Sequence, residues 1–257
     1  MDYRNLFNFT GRTVLITGGG GTLGREFARA FSRCGANIMV ADINSEASRE
    51  TVEACRGQSC AGRVESLQVD LLDIDSIEAM VQQTVATFKK VDVLCNHAGM
   101  NIRKPATDYA PSEWETIVGL NLRGSYFTAQ KVGRAMIANG GGRIINTASV
   151  SAVRGHKNLS IYAATKGGIH QYTKVLAHEW APYNITVNAV GPGYVLTQQT
   201  AKYLNQPEIK KALLERIPMR RFGQPEEIAS TVLFLASEGA AYITGQTIFI
   251  EGGRLVD

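Results

Sequence analysis

Tyr162 and Lys166 stand four residues apart. On a helix that spacing puts both side chains on one face. A free phenol titrates near ~10. A neighbouring ammonium favours the phenolate and lowers that value. At ~4 Å and an effective dielectric of ~20 the attraction is about 4 kcal/mol, part of it offset by desolvation. The pair can therefore act as a general acid or base near neutral pH. Ser149 lies 13 residues before Tyr162, just past a short apolar run. Its hydroxyl can hold a substrate oxygen beside the phenol. Singly, a helical tyrosine is an ordinary core or surface residue and a lysine an ordinary solvated one.

A second constellation is Thr17-Gly18-Gly19-Gly20-Gly21-Thr22-Leu23-Gly24, between a strand-like and a helix-like run. Gly19, Gly21 and Gly24 match G-x-G-x-x-G. Glycines let the backbone turn tightly and approach a pyrophosphate, and the helix start offers free N–H groups. Glycine clusters also make ordinary turns; the strand before and helix after favour a dinucleotide. Gly18, Gly20, Gly21, Thr22, Leu23 and Gly24 are the candidate phosphate contacts. Asp42 follows the second strand-like run, 18 residues beyond Gly24, with Ile43 rather than Arg beside it. A carboxylate there accepts from ribose hydroxyls and repels a 2′-phosphate, which favours NAD over NADP. The alternative is that Asp42 only caps the next turn.

The elements that would position these residues alternate regularly. Strands are expected over 12–17, 37–41, 64–69, 91–95, 143–147, 185–190 and 247–250. Helices are expected over 22–34, 45–56, 74–88, 111–138 (one long helix), 160–180 and 225–235. Nearly all-apolar strands separated by helices imply a parallel sheet covered on both faces. That is a doubly wound α/β (Rossmann) fold with seven parallel strands. Without a linker, residues 1–257 read as a single domain. The excursion at 194–223, after the sixth strand, reads as a substrate lid.

Composition excludes other classes. The 257 residues are 44% hydrophobic and 19% charged, too apolar for a disordered chain. No apolar run approaches the roughly 20 residues of a bilayer span. The start, Met1-Asp2-Tyr3-Arg4, lacks a signal-peptide layout. A net charge of +4, well dispersed, gives no nucleic-acid or membrane footprint. Cys34, Cys55, Cys60 and Cys95 suit reduced thiols in a cytoplasmic protein, with no metal site.

The chain resembles the short-chain dehydrogenase/reductase family essentially end to end. The matching pieces are TGGGGTLG, VDLLD, NHAG, NLRG, IINTAS, YAATK, VNAVGPG and YITGQTIFIEGG, in that order. The resemblance implies that Tyr162 exchanges the proton, Lys166 lowers its pKa and binds the nicotinamide ribose, and Ser149 orients the substrate. Asn121 would hold a water linking Lys166 to solvent. Asp70, with Leu71, would meet the adenine, and Asn96, Ala98 and Gly99 the adenosine ribose side. Pro192, Gly193, Val195 and Thr197 would hold the carboxamide. The family also implies a homotetramer. Two positions depart from its pattern: Thr22, where glycine is usual, and His97, where asparagine is usual.

The substrate side is less legible. Arg103, Ser151, Arg154 and Tyr194 are candidates, because Arg near the reacting carbon suits a polyhydroxylated or carboxylated substrate. Exposed Arg is also an ordinary surface residue. The NLFNFTGRTVLITG start, AGMNIRKPA and RFGQPEEIA resemble sugar-acid and polyol dehydrogenases of the gluconate 5-dehydrogenase type. Such an enzyme oxidises a secondary alcohol with NAD and needs no metal. Alternatives are an NADPH-dependent 3-oxoacyl-[acyl-carrier-protein] reductase, which Asp42 disfavours, and a non-catalytic NAD-binding regulator, which the complete catalytic set disfavours.

Overall fold

Thr13–Thr17 (β1) is five buried residues, TVLIT, and its side chains serve two cores at once. Val14 and Ile16 face one hydrophobic cluster, Leu15 the other. This period-two division is what a strand buried on both faces requires. The structure is a computed structural model, which describes residues 5–56 and 62–256. Met1 to Arg4 and Cys60, used in the sequence reading, lie outside the described residues.

The remaining elements follow in alternation: Thr22–Arg33 (α1), Asn37–Asp42 (β2), Ser45–Arg56 (α2), Val64–Gln68 (β3), Ile74–Phe88 (α3) and Val93–Asn96 (β4). Then come Pro111–Val118 (α4), Ser125–Ala138 (α5), Gly142–Thr147 (β5), Ser160–Trp180 (α6) and Ile185–Pro192 (β6). Gln198–Leu204 (α7), Pro207–Leu214 (α8), Pro225–Ala236 (α9) and Thr247–Ile250 (β7) complete the chain. All seven strands are parallel, in the order β3-β2-β1-β4-β5-β6-β7. This is the doubly wound α/β domain expected from the alternation. Strand order reverses between β1 and β4, and the crevice above such a switch point is where open α/β sheets bind ligands.

The expected single helix over 111–138 is instead three pieces. Between α4 and α5, Gly119–Gly124 forms a π-helical segment. Ser125 Oγ donates to the Asn121 carbonyl at 2.6 Å and lies 3.2 Å from that of Leu122, satisfying groups the widened turn releases. Gly124 is required here, since a Cβ would come within 2.5 Å of the Leu71 carbonyl. Apolar periodicity does not register such a widening, and π-segments concentrate at functional sites. Asn121 sits inside this one.

The 194–223 excursion holds α7 and α8 around a small core of its own: Leu204, Leu213, Ile217 and Phe222.

Helix α1 must meet β1 closely, and Gly24 permits it: a Cβ there would lie 2.2 Å from the Gly18 carbonyl oxygen. Gly24→Ala therefore forces α1 off the turn, and the urea midpoint should fall by an amount equivalent to about 1–3 kcal/mol. An unchanged midpoint would show that the junction has room to spare.

Candidate active site

A cavity of about 620 Å³ opens over the C-terminal ends of the strands. Its wall includes Gly18, Gly21, Thr22, Leu23, Asp42, Ile43, Asp70, Leu71, Ala98, Gly99, Ser149, Tyr162, Lys166, Pro192, Gly193, Val195 and Thr197. The structure thus brings together most of the residues singled out in the sequence, from both halves of the sheet.

At the glycine-rich end, α1 starts at Gly21 with no side chain capping it and no acidic residue in its first turn. Its first N–H groups and the helix dipole therefore face the cavity, an arrangement that suits a phosphate. Gly18 is left-handed (φ +69°), and a Cβ would lie 2.9 Å from the Ala98 Cα. Gly20 and Gly24 do not line the cavity. Gly20 donates its N–H to Asp42 Oδ2 at 2.9 Å, and Gly24 admits α1 to the turn.

Asp42 caps the turn that follows it and also reaches the cavity. Oδ2 holds the glycine turn, Oδ1 accepts the Asn44 N–H at 2.9 Å, and the carboxylate still lies on the cavity wall. Asp70 accepts the Leu72 N–H at 2.9 Å from the same wall. These features fit a nicotinamide dinucleotide, with phosphates at α1 and the adenosine ribose at Asp42.

Thr22, one of the two departures, has a definite structural use. Its hydroxyl accepts the N–H of Gln198, the first residue of α7, at 3.1 Å. The glycine turn is thereby tied to the 194–223 segment.

At the other end, the Lys166 ammonium is 4% exposed and donates to the Thr147 carbonyl at 2.6 Å. Burial pulls its pKa down to about 8. The ammonium is 5.6 Å from the centre of the Tyr162 ring. The expected depression of the Tyr162 pKa by Lys166 does not emerge. Burial raises it, opposed by a hydrogen bond with Ser149 and by the charge of Arg103. Desolvation outweighs attraction because the phenol sits well inside the protein. Ser149 Oγ also accepts the Ser151 N–H at 3.1 Å, which fixes the hydroxyl beside the phenol.

His97, the other departure, also lines the cavity, with Nδ1 3.2 Å from Thr147 Oγ1 and its ring edge-on to Phe27. Burial, then the Lys166 charge, pushes its pKa down to about 4, so the imidazole is neutral at pH 7.

Two asparagines singled out in the sequence lie off the cavity wall. Asn96 is buried behind the wall, where Nδ2 donates to the Ser125 carbonyl at 2.8 Å and to Asn146 Oδ1 at 3.0 Å. It fastens β4 to β5 and α5. Asn121 lies under the floor. Its carboxamide bonds both the N–H and the carbonyl of Met100 at 2.8 Å, and Nδ2 reaches Thr165 Oγ1 at 3.3 Å. It braces the loop after β4 against α6. Gly99 passes over it, where a Cβ would lie 3.1 Å from Asn121 Oδ1 and 3.7 Å from Lys166 Nζ.

Arg103, Ser151, Arg154 and Tyr194 are not on the cavity wall. Arg103 lies over the Tyr203 ring at 4.4 Å and donates to the Lys157 carbonyl at 3.2 Å. Ser151 bonds His156 at 3.0 Å, Arg154 donates to the Arg254 carbonyl, and Tyr194 packs near His156 and Phe222.

A family model described as Enoyl-(Acyl carrier protein) reductase matches residues 20–254. The chain belongs to the short-chain dehydrogenase/reductase family. It is 38% identical over 250 residues to an NAD-dependent glycerol dehydrogenase of Listeria innocua, covering 97% of this chain and 96% of that one. It is 36% identical to a 2-dehydro-3-deoxy-D-gluconate 5-dehydrogenase of Dickeya dadantii, covering 98% of both. A 3-oxoacyl-[acyl-carrier-protein] reductase of Thermotoga maritima is 36% identical over 247 residues, covering 96% and 98%. A solved gluconate 5-dehydrogenase of Burkholderia cenocepacia, in complex with NADP and tartrate, superposes with a TM-score of 0.92 at 32% identity, covering 98% of both chains. As a short-chain dehydrogenase/reductase the chain is an oxidoreductase of CH–OH groups that uses a nicotinamide cofactor. Among the described residues, no helix is long and apolar enough to cross a membrane.

Sequence reasoning missed Met100, Thr116, Leu120 and Gln199 on the wall. None carries a charge or a recognisable spacing; the loop after β4, α4, the π-helical segment and α7 converge on the cavity only through tertiary packing. The Thr22–Gln198 bond carries a prediction for this dehydrogenase. Thr22→Gly removes one neutral hydrogen bond, and the Kd for the cofactor should rise about 2- to 10-fold, measured by titration of protein fluorescence. Unchanged affinity would mean that the bond does not hold the segment over the turn.

Proposed function

We propose that this chain is an NAD-dependent dehydrogenase that interconverts a secondary alcohol and a ketone on a sugar acid, sugar or polyol. One observation carries the reading. Ser149, Tyr162 and the buried Lys166 converge on a cavity whose far end combines an uncapped helix start with the Asp42 carboxylate. NAD, when bound, supplies the hydride acceptor.

The chain's own residues do the rest. Ser149 holds the substrate oxygen. Tyr162, as phenolate, takes the hydroxyl proton during oxidation and, as phenol, returns it during reduction. Lys166 holds a positive charge beside the ring and can reach the nicotinamide ribose. Asn121 is a positioning residue: through Met100 and Thr165 it holds the β4 loop against α6, the helix that carries Tyr162 and Lys166. A proton link from Lys166 to solvent beside Asn121 belongs to the same reading. Since burial favours the neutral phenol, kcat/KM for oxidation should rise with pH and that for reduction should fall.

The names of the glycerol and deoxygluconate dehydrogenase relatives support the substrate class. The second reading is an NADPH-dependent 3-oxoacyl reductase, supported by the Thermotoga relative. Asp42 weighs against it, because a 2′-phosphate beside that carboxylate is repelled. The complete Ser149, Tyr162 and Lys166 set weighs against a regulator without turnover. A cytoplasmic homotetramer completes the proposal; the half-exposed Val175 on α6 and Ile248 on β7 supply apolar surface for it.

Two variants test the reading. Tyr162→Phe removes only the hydroxyl, so NAD should still bind while kcat falls about 10²- to 10⁴-fold. Retained turnover would remove Tyr162 from proton transfer. Asp42→Ala should weaken NAD about tenfold or more by loss of charge-assisted hydrogen bonds, and narrow the preference over NADP. Because Asp42 also holds Gly20, a merely loosened turn would weaken both cofactors equally, and that result would contradict a discriminating role.

A further inference from the structure

Arg254 is 4% exposed, yet its Nε and Nη1 have no hydrogen-bond partner among the described residues. Its guanidinium lies 5.0 Å from the centre of the Tyr194 ring. Glu251, three residues earlier, instead accepts the Leu255 N–H at 2.9 Å. The Arg254 backbone is held in place by Arg154, which donates to its carbonyl oxygen. An arginine braced by a second arginine and left unpaired in the interior is costly unless an anion completes it.

A second orphan donor also lies against Tyr194. The His156 ring is 6.2 Å from the Tyr194 ring, its Nδ1 is 3.0 Å from Ser151 Oγ, and its Nε2 is buried without a partner among the described residues. With the Ser151 hydroxyl donating to Nδ1, Nε2 carries the hydrogen and is a free donor. Burial, then the charges of Arg254, Arg103 and Arg154, depress the His156 pKa, so the ring faces three positive charges.

The cluster connects to the reacting group. Ser151 donates its N–H to Ser149 Oγ, and Arg103 acts electrostatically on both Tyr162 and Tyr194. Tyr194 lies in the chain between Gly193 and Val195, both on the cavity wall. A buried fork of donors and a neutral imidazole N–H, with no acidic partner among the described residues, match a carboxylate, whose planar oxygens a guanidinium takes in pairs.

We propose that Arg254, with His156 beside it, binds the carboxylate of the substrate at the end remote from the reacting carbon, and so selects a sugar acid over the corresponding polyol. The inference rests on the dehydrogenase reading above and narrows its substrate class. Arg154 then acts as the brace for Arg254.

D-gluconate and D-glucitol share a six-carbon hydroxylated chain and differ chiefly in one end group. With the full chain and NAD, Arg254→Met should lower kcat/KM for gluconate about 10- to 100-fold, mainly through KM. For glucitol the change should be less than about threefold, and NAD affinity should be unaltered. Arg254→Lys keeps the charge without the fork and should fall between; if the Met variant does not fold, the Lys variant must still show the gluconate-specific loss. Equal losses on both compounds would overturn the proposal. So would a changed oligomeric state with gluconate kinetics intact, which would assign Arg254 to a contact between copies of the chain. Should the wild type oxidise neither compound, the dehydrogenase reading for these substrates fails, and the subsite is judged by binding alone. A rise in melting temperature with gluconate but not glucitol, lost in Arg254→Met, supports it. No gluconate-specific rise in the wild type refutes it.

Discussion

A lysine ammonium almost fully removed from water is the constraint around which this site is arranged. Lys166 cannot stay charged in the interior without an acceptor, and the Thr147 carbonyl, at the end of β5, is the one it uses. That bond fixes α6 against the C-terminal edge of the sheet. It therefore also fixes Tyr162, one turn earlier on the same helix, relative to Ser149 on the loop that leaves β5. The neighbours respect the same charge. Gly99 passes with no side chain; a Cβ there would crowd Asn121 Oδ1 at 3.1 Å. His97 stays neutral, since burial and Lys166 both oppose a second cation. The π-helical segment places Asn121 under the floor, where it locks the β4 loop to α6.

The dinucleotide end is held by different physics, mostly backbone hydrogen bonds. Asp42 ties β2 to the glycine turn through Gly20, and Thr22 ties the turn to α7 through Gln198. One strand end, one turn and the segment that follows β6 thus form a connected frame. A cofactor seated at α1 would touch all three. The side-chain hydroxyl that replaces the usual glycine at position 22 makes the last link, so the departure adds a contact to the frame.

Much of this was legible in the sequence, because the relevant signals are periodic or local. Alternation of all-apolar strands with amphipathic helices specifies the parallel sheet, and the Gly18 to Gly24 turn marks its switch point. The i, i+4 spacing of Tyr162 and Lys166 puts them on one face whatever the tertiary context. What was not legible depends on long-range packing. The π-segment inside 111–138 preserves an apolar pattern while shifting the register of Asn121. Asn96 reads as a cofactor residue by its motif, but its partners, Ser125 and Asn146, are 29 and 50 residues away. The balance of burial against attraction at Tyr162 is set by desolvation, which spacing does not encode. Arg254 lies ten residues beyond Thr244 in a glycine-rich tail, and nothing in its immediate sequence marks it as buried.

The most direct test of the central claim is the absorbance of reduced nicotinamide, followed with NAD and with NADP against sugar acids, polyols and an acetoacetyl thioester. Turnover with NAD on a sugar acid or polyol, much exceeding that with NADP, is the expected result. Turnover confined to NADPH and the thioester would contradict the account: Asp42 would not be discriminating against the 2′-phosphate, and the chain would be a carrier-protein reductase.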